Sequence, residues 1–224
     1  LIAAYAIGAA QVFLYVRGEM AHAQERAQDY VEAIADLIAE LEAAGAQDVI
    51  LVGYSQAGQL IARMAERAPD LFGRLIYVTC SAPPDGTSVL ELMGGCRHGE
   101  SEDCVGYPLD PAAGPFEENF PIMFGNDMSA ADRDAFLARL GPDNWPLSSY
   151  IHRDWRYSHL SSFPSTFVLC GRDMALTPAW QERFAATLRV TNTVRIDAGH
   201  QVMNSQPEAL ADVLLAQTGS ERVR

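Results

Sequence analysis

The chain is poor in basic residues relative to acidic ones. Its 16 Lys and Arg residues face 29 Asp and Glu residues, which gives a formal net charge of −13. The acidic residues are scattered along the chain rather than gathered in runs. Because nucleic-acid binding depends on positive charge clustered against phosphates, nucleic acid is excluded as an expected partner.

Long apolar runs are also missing. The apolar stretch at residues 1–16 falls short of the roughly 18 to 20 residues that a membrane-spanning helix needs, and Gly8 and Gln11 interrupt it. It also lacks the basic region that opens a signal peptide. We therefore expect no membrane partner. The stretch is interpreted as the end of a helix that stops at Gly8, followed by a strand from about residue 11 to residue 16.

Cysteines are few, and none has the spacing of a metal site. Cys80 and Cys170 lie in apolar, strand-like runs, where buried thiols are common. Cys96 and Cys104 flank the polar loop CRHGESEDC, which could close as a disulfide in an oxidising compartment. We expect reduced structural cysteines and a cytoplasmic location, and leave the pairing of Cys96 with Cys104 open. No metal or other cofactor is expected.

The sequence does contain a regular alternation of helical and strand-like segments, without internal repeats. Its 224 residues suffice for one α/β domain with a sizeable core. Buried strands alternating with amphipathic helices predict a mostly parallel sheet covered by helices on both faces. The predicted strands are 49–52, 75–80, 165–171 and 193–196, and the predicted helices are 31–41, 56–67, 130–140 and 207–216.

The alternation loosens between residues 83 and 163, where Pro, Gly and aromatic residues are frequent. We interpret residues 83–163 as a helical cap inserted into a core formed by residues 1–82 and 164–224. Its aromatic residues suit an apolar wall over a small-molecule site, although rings at such spacing more often pack the cap itself. These residues are Phe116, Phe120, Phe124, Trp145 and Trp155.

The stretch LVGYSQAG places one serine at the corner between a strand and a helix. A tight corner forces strained backbone geometry at Ser55, and only small neighbours such as Gly53 and Ala57 permit it. The N–H of Gln56, at the start of the helix, points where a negatively charged oxygen could bind. Ser55 is therefore a candidate nucleophile. The alternative is a helix N-cap, a common position for serine, because the pattern is G-x-S-x-A rather than the usual G-x-S-x-G.

A nucleophilic serine needs a base, and His200 has the best placement for one. It follows a predicted strand in the loop DAGH, at a strand end where open α/β sheets gather their chemistry. Asp173, just beyond another predicted strand, is the best candidate for the carboxylate that orients the imidazole. Asp85 is the alternative, and Asp197 lies too close to His200 in sequence to reach around the ring. The remaining histidines have surroundings typical of surface residues: His22, His98, His152 and His159.

Three stretches, LVGYSQAG, CGRDMALTPAWQERF and IDAGHQVMNSQPEALADVLL, resemble the α/β-hydrolase superfamily. More narrowly, residues 45–94 and 120–216 are similar to its branch of plant methyl esterases, hydroxynitrile lyases and bacterial esterase relatives. The resemblance implies an α/β-hydrolase fold and hydrolysis of small, largely apolar carboxylic esters or thioesters through an acyl-enzyme. Ser55 would attack the carbonyl, His200 would move the proton and Asp173 would orient His200.

The resemblance also implies the partners of this site. The expected partner is a small-molecule ester, no metal or cofactor is implied, and the N–H of Gln56 would contribute to the oxyanion hole. We expect the substrate to contact Tyr54, Phe124, Trp145 and Met203.

Two departures from this branch leave alternatives open. Its hydroxynitrile lyases carry a lysine directly after the histidine, where this chain has Gln201, so a lyase is the less favoured alternative. Family members also begin with a strand and an HG-containing loop that supplies the second oxyanion N–H, whereas residues 1–18 match only a later helix end and strand. A ligand-binding or degenerate homologue is therefore another alternative. If the first strand is absent, we expect a weak hydrolase, unless an amide near Arg17 and Gly18 completes the oxyanion hole. The exposed edge of the sheet would also favour self-association, for example as a homodimer.

Overall fold

A computed structural model describes residues 2–3, 6–7, 10–11, 30–93, 100–101, 103–106, 116–140 and 150–218. The strands are β1 (Ile2–Ala3), β2 (Ala6–Ile7), β3 (Ala10–Gln11), β4 (Val49–Tyr54), β5 (Phe72–Val78), β6 (Ser165–Cys170) and β7 (Asn192–Ile196). The helices are α1 (Tyr30–Ala43), α2 (Ala57–Arg67), α3 (Val89–Met93), α4 (Phe120–Gly125), α5 (Ala130–Leu137), α6 (Pro178–Thr187), α7 (Val202–Ser205) and α8 (Pro207–Thr218).

Within the described residues, five strands form one parallel sheet in the order β1, β4, β5, β6, β7. At its carboxyl end, Tyr54 lies beside Val78, Val78 beside Val168, and Cys170 beside Ile196. Because these strands run in the same direction, the loops that follow β4, β5, β6 and β7 all leave at one edge. This is the edge at which open parallel sheets bind ligands.

Successive side chains of each strand are buried on opposite faces of the sheet. Leu75 and Tyr77 of β5 belong to a core cluster shared with α1, α2 and α6. Ile76 and Val78 pack in a second cluster with α7 and α8. Both faces are therefore covered, which confirms the predicted parallel sheet with helices on both sides.

Most predicted segments agree with the structure, and their ends differ by a few residues. The strand predicted at 49–52 continues to Tyr54. The strand predicted from residue 75 begins earlier, at Phe72, and ends at Val78. The helix predicted at 130–140 ends at Leu137. Periodicity identifies an element well because it spans many residues, whereas a boundary depends on one or two local contacts.

The N-terminal prediction is wrong in one respect. The residues interpreted as the end of a helix before Gly8 include Ala6 and Ile7, which form β2 and pair antiparallel with β3. A short apolar run has the same appearance in a helix and in a strand, so periodicity could not distinguish them. Of the strand predicted at 11–16, Gln11 lies in β3 and the other residues are outside the described part of the chain.

Part of the segment predicted as a cap contributes to the main core. Trp155, Tyr157 and Leu160 are buried in the cluster that also contains α2. Nε1 of Trp155 donates to the carbonyl of Thr87 (2.9 Å), so this ring joins two parts of the segment instead of forming a wall over a site. Helix α5, by contrast, has no buried residue. The division into core and cap stays a prediction.

The cysteines differ in state. Cys80 and Cys170 are free and buried, as predicted, and burial raises the pKa of both thiols, which makes them poor nucleophiles. The expectation of reduced cysteines is wrong for Cys104, which is disulfide-bonded. Spacing in sequence does not reveal which cysteines meet in space. Cys96 lies outside the described residues.

Candidate active site

Ser55 lies at a strained corner between β4 and α2. Its φ of 56° is in the left-handed region, which a residue with a side chain rarely adopts. The N–H of Ser55 donates to the carbonyl of Val78 (3.1 Å), and the carbonyl of Ser55 accepts from the N–H of Ser81 (3.0 Å). These hydrogen bonds to the end of β5 and the loop after it hold the strained conformation in place.

Three small residues allow the corner to be so tight. A side-chain carbon on Gly53 would collide with Ile61 of α2, and one on Gly58 would lie 2.5 Å from the carbonyl oxygen of Ser81. Ala57 is fully buried. The sequence pattern identified Gly53 and Ala57, and the structure adds Gly58, since no larger residue would let α2 pack this closely on the strand ends.

The structure brings the side chains of Ser55, His200 and Asp173 into one hydrogen-bonded series. Nε2 of His200 lies 3.0 Å from Oγ of Ser55, and Nδ1 of His200 lies 2.7 Å from Oδ2 of Asp173. His200 and Asp173 are buried, whereas Ser55 is partly exposed. An ionised carboxylate can only accept a hydrogen bond, so Nδ1 carries the ring proton and Nε2 can accept one from the serine hydroxyl. This geometry can remove a proton from Ser55 as the serine attacks an electrophile.

Asp173 is held by hydrogen bonds to both of its carboxylate oxygens. Oδ1 accepts from the backbone N–H groups of Ala175 (2.8 Å) and Leu176 (2.9 Å). Oδ2 accepts from the hydroxyl of Thr79 (2.5 Å) as well as from His200. Thr79 could not be identified from the sequence, because it lies 94 positions from Asp173 and belongs to no local motif.

A buried glutamine supports the loop that carries Asp173. Gln181 of α6 is fully buried. Its side chain accepts from the N–H of Cys170 (2.9 Å) and donates to the carbonyls of Cys170 (3.0 Å) and Leu176 (2.7 Å). Cys170 and Leu176 flank Asp173, so Gln181 fixes both ends of the acid loop. Gln181 could not be identified from the sequence, since a glutamine on a helix is usually solvated.

The other two candidate acids lie elsewhere. Asp85 is exposed in the turn between β5 and α3. Asp197 has a side chain that is 85% exposed and forms an ion pair with Arg172 (3.2 Å). Asp173 is therefore the carboxylate that the structure brings to His200, as the sequence predicted.

Two of the remaining histidines make structural contacts. Nε2 of His152 lies 2.7 Å from the guanidinium of Arg63, and Nε2 of His159 lies 2.8 Å from the carbonyl of Ala62. Both contacts join the segment 150–163 to α2. The last two, His22 and His98, lie outside the described residues.

Two of the residues predicted to contact the substrate lie against His200. The ring of Tyr54 is 4.9 Å from the imidazole and the ring of Phe124 is 5.7 Å from it. Tyr54 is buried in the core, and burial raises the pKa of its hydroxyl, whereas Phe124 of α4 is partly exposed. Met203 is partly buried against the second core cluster, and Trp145 lies outside the described residues. Their roles in substrate binding stay predictions.

The N–H of Gln56, at the start of α2, has no hydrogen-bond partner among the described residues. Gln56 has helical backbone angles (φ −64°, ψ −14°) directly before Ala57. Because helix N-termini favour negative charge, this N–H could stabilise an oxyanion beside Ser55. Arg17 and Gly18, named from the sequence as a possible second donor, lie outside the described residues.

The residue after His200, Gln201, has a neutral side chain that forms a hydrogen bond to a nearby residue. The amide oxygen of Gln201 accepts from the side chain of Asn204 (3.1 Å), one turn further along α7. The side chain next to the imidazole is therefore an amide rather than the ammonium group expected of a lyase of this branch.

The described residues contain no group of His, Cys, Asp and Glu side chains arranged to hold a metal ion. None of their helices is long and apolar enough to cross a membrane.

The chain matches a family model, that of the alpha/beta hydrolase family, over residues 17–213. The chain belongs to the alpha/beta hydrolase family. This α/β hydrolase is 28% identical over 184 residues to the probable hydrolase R7 of Phoma sp., covering 77% of this chain and 71% of that protein. It is 25% identical over 218 residues to the carbendazim hydrolyzing esterase of Nocardioides sp., covering 89% of this chain and 83% of that protein.

A solved structure is similar as well. The crystal structure of the methylesterase MES16 from Arabidopsis superposes with a TM-score of 0.63 at 16% identity, covering 96% of this chain and 84% of that one. At that identity the likeness shows a common fold. The family match and the relatives named hydrolase and esterase confirm the predicted α/β-hydrolase fold and the prediction of an esterase-like hydrolase.

Proposed function

We propose that this α/β hydrolase cleaves small, largely apolar carboxylic esters with Ser55 as nucleophile, His200 as general base and acid, and Asp173 as the residue that orients His200. The observation that carries the proposal is the hydrogen-bonded series, with 3.0 Å from Ser55 to His200 and 2.7 Å from His200 to Asp173. These distances lie in the range over which a base can take a proton from a nucleophile.

In the first half of the reaction, Oγ of Ser55 attacks the ester carbonyl carbon while its proton moves to Nε2 of His200. The imidazolium that forms is stabilised by Asp173. The carbonyl oxygen becomes an oxyanion, to which the N–H of Gln56 donates a hydrogen bond. Collapse of the tetrahedral intermediate breaks the bond to the alcohol oxygen, which takes the proton from His200 and leaves an acyl group on Ser55.

In the second half, water replaces the alcohol. Nε2 of His200 takes a proton from the water as its oxygen attacks the acyl carbon. The second tetrahedral intermediate then collapses, the proton returns to Oγ of Ser55, and the carboxylic acid leaves. Every proton in this cycle passes through Nε2 of His200. The rate therefore depends strongly on the orientation of the imidazole.

The surroundings of His200 indicate the chemical class of the substrate. The rings of Tyr54 and Phe124 lie against the imidazole, and the partly exposed ring of Phe124 offers an apolar surface beside it. Such a surface favours compact, uncharged esters over charged ones. A relative named for carbendazim hydrolysis and a fold neighbour named as a methylesterase are consistent with small substrates.

The nucleophile is tested with a fluorophosphonate probe and a series of p-nitrophenyl esters of increasing acyl length. We expect the probe to label Ser55 and the protein to hydrolyse short esters. Ser55→Ala should abolish both, while Ser161→Ala, at an exposed serine of the turn Ser158–Ser162, should change neither. Labelling of another serine would contradict the proposal. Labelling without turnover would instead indicate a ligand-binding homologue.

The acid is tested separately. Asp173→Asn should lower kcat by about 10³- to 10⁴-fold with the fold retained, because the imidazole would then adopt the wrong tautomer. Asp85→Asn, at the alternative position, should leave kcat unchanged. A loss under about tenfold in Asp173→Asn would assign the role to another carboxylate.

Phe124 tests the substrate class. Phe124→Ala should alter the preference for acyl length more than it alters kcat on the shortest ester, because the ring would limit the space beside His200. Ile122→Ala is the control, since Ile122 is on the same helix and 41% exposed. Unchanged selectivity in Phe124→Ala would mean that the ring only packs the helix.

A further inference from the structure

The turn between α4 and α5 contacts both loops that carry the proposed base and acid. This turn, residues 126–129, contains two polar side chains, Asn126 and Asp127, that reach across the carboxyl edge of the sheet. Neither residue belongs to the motifs around Ser55, Asp173 or His200. We call Asn126 and Asp127 the cap clamp.

Asp127 holds the base loop on both sides of His200. Its Oδ2 accepts from the N–H of Gly199 (2.6 Å), the residue before His200. The same oxygen accepts from the hydroxyl of Ser205 (2.6 Å), at the end of α7. Two hydrogen bonds to one carboxylate oxygen therefore fix the backbone before the histidine and the helix after it. Charge-assisted bonds of this kind are among the stronger ones in proteins.

Asn126 holds the acid loop. Its Nδ2 donates to the carbonyl of Arg172 (2.8 Å), the residue before Asp173. The N–H of Arg172 in turn donates to the carbonyl of Ala198 (2.9 Å), so the acid and base loops are also joined directly. The cap clamp therefore contacts each loop at the residue that precedes the proposed acid or base.

The close approach of the cap clamp depends on a glycine. A side-chain carbon on Gly199 would lie 2.6 Å from Oδ1 of both Asn126 and Asp127, which is far too close for any real contact. A side chain at Gly199 would therefore displace the side-chain ends of Asn126 and Asp127 from their observed positions. Oδ1 of Asp127 is itself buried and has no hydrogen-bond partner among the described residues, so Oδ2 is the oxygen that makes the contacts.

We propose that Asn126 and Asp127 are positioning residues for the hydrolysis: Asp127 fixes His200 through Gly199 and Ser205, and Asn126 fixes Asp173 through Arg172. The inference rests on the proposed function, because it needs His200 and Asp173 to be the base and acid. If the inference is correct, the imidazole of His200 is placed correctly only when the turn 126–129 occupies its observed position. A misplacement of about 1 Å can lower the rate about 100-fold, so these contacts are kinetically significant although neither residue touches the substrate.

The decisive comparison is Asp127→Ala against Asp127→Asn. Alanine removes both hydrogen bonds, whereas asparagine keeps an oxygen that can accept them. We expect Asp127→Ala to lower kcat on a short p-nitrophenyl ester by about 10- to 100-fold with KM little changed. The rate of fluorophosphonate labelling at Ser55 should fall in parallel, because labelling also needs the base. Asp127→Asn should recover kcat to within about threefold of the wild type.

Ser129→Ala is the matched control for a general loss of cap structure. Ser129 caps α5 by accepting from the N–H of Asp132, and its side chain forms no hydrogen bond to either loop within the described part of the chain, so its loss loosens the start of α5 without releasing His200 or Asp173. We expect its kcat to be unchanged. A similar fall in Ser129→Ala and Asp127→Ala, or no advantage of asparagine over alanine, would overturn the proposal.

Two milder variants keep the proposal testable if Asp127→Ala does not fold. Ser205→Ala removes one of the two bonds to Asp127, and Asn126→Ala removes the bond to Arg172. Each should lower kcat by about three- to tenfold; wild-type kcat in both would overturn the inference. Failure of the proposed function is distinguishable, since it would appear as activity retained in Ser55→Ala whatever these variants do.

Discussion

The hydroxyl of Thr79 donates a hydrogen bond of 2.5 Å to Oδ2 of Asp173, although the two residues lie 94 positions apart in the chain. Thr79 follows β5 and Asp173 follows β6, and the parallel pairing of these strands brings the two strand ends together. The same carboxylate oxygen contacts Nδ1 of His200. Thr79 therefore holds Asp173 in the orientation that the histidine requires.

Thr79→Val should lower kcat with little change in KM. The substitution keeps the shape of the side chain but removes the donor, so Oδ2 is held less firmly against His200. We expect a fall of about tenfold, corresponding to one lost hydrogen bond to a charged group. The measurement is steady-state hydrolysis of a short p-nitrophenyl ester. Thr166→Val is the control: Thr166 donates to Gln217 at the opposite end of β6, so its loss should leave kcat unchanged.

Ser55→Gly should be more stable than Ser55→Ala, although both variants should be inactive. The φ of 56° at this position strains any residue with a side chain, and glycine adopts it freely. After allowing for the greater freedom of glycine in the unfolded chain, we expect a difference of about 1 kcal/mol in the free energy of unfolding. Urea denaturation of the two variants measures it. Equal stabilities would show that the corner stores no strain.

Gln181→Leu should lower the free energy of unfolding by about 3 kcal/mol. The buried amide makes three hydrogen bonds to the backbone of Cys170 and Leu176, and leucine would leave those groups unpaired away from water. Glu182→Leu, at the exposed neighbouring position of α6, is the control and should change stability little. Thermal denaturation measures both. A small loss in Gln181→Leu would mean that water enters and replaces the amide.

Tyr77→Phe should stabilise the protein, most of all at high pH. The hydroxyl of Tyr77 is buried without a hydrogen-bond partner among the described residues, and burial raises its pKa. The pKa of Tyr77 is therefore higher in the folded protein than in the unfolded chain. As a result, its contribution to the free energy of unfolding is fully present below about pH 10 and is lost as the pH rises beyond that value. Phenylalanine removes both the unpaired group and this titration. We expect a gain of about 1 kcal/mol at pH 7 and a larger gain above pH 10.

The control for this prediction is Tyr157→Phe. The hydroxyl of Tyr157 donates to the carbonyl of Pro83 (2.9 Å), so its removal should destabilise the protein by about 1 kcal/mol. Urea denaturation at several pH values measures both variants. Destabilisation by Tyr77→Phe would show that its hydroxyl has a partner, such as a buried water molecule.

The alternation of strands and helices could be predicted from the sequence because it is a local property. Strand Val49–Tyr54 and helix Ala57–Arg67 are each specified by apolar residues at their own spacing. The strained corner at Ser55 is also local, since Gly53, Ser55 and Ala57 lie within five positions of one another. Where the local pattern was ambiguous, as at Ala6 and Ile7, the prediction was wrong.

The meeting of Ser55, Asp173 and His200 could be predicted because each follows a strand of a parallel sheet, and such strands end at one edge. Sequence by itself therefore determined strands β4 to β7, the corner and the set of residues at that edge. Only the tertiary structure decided which side chains support them, namely Thr79, Gln181 and the cap clamp. A hydrogen bond forms or fails within a few tenths of an ångström, and separations that small depend on strand register and helix packing, which no local pattern encodes.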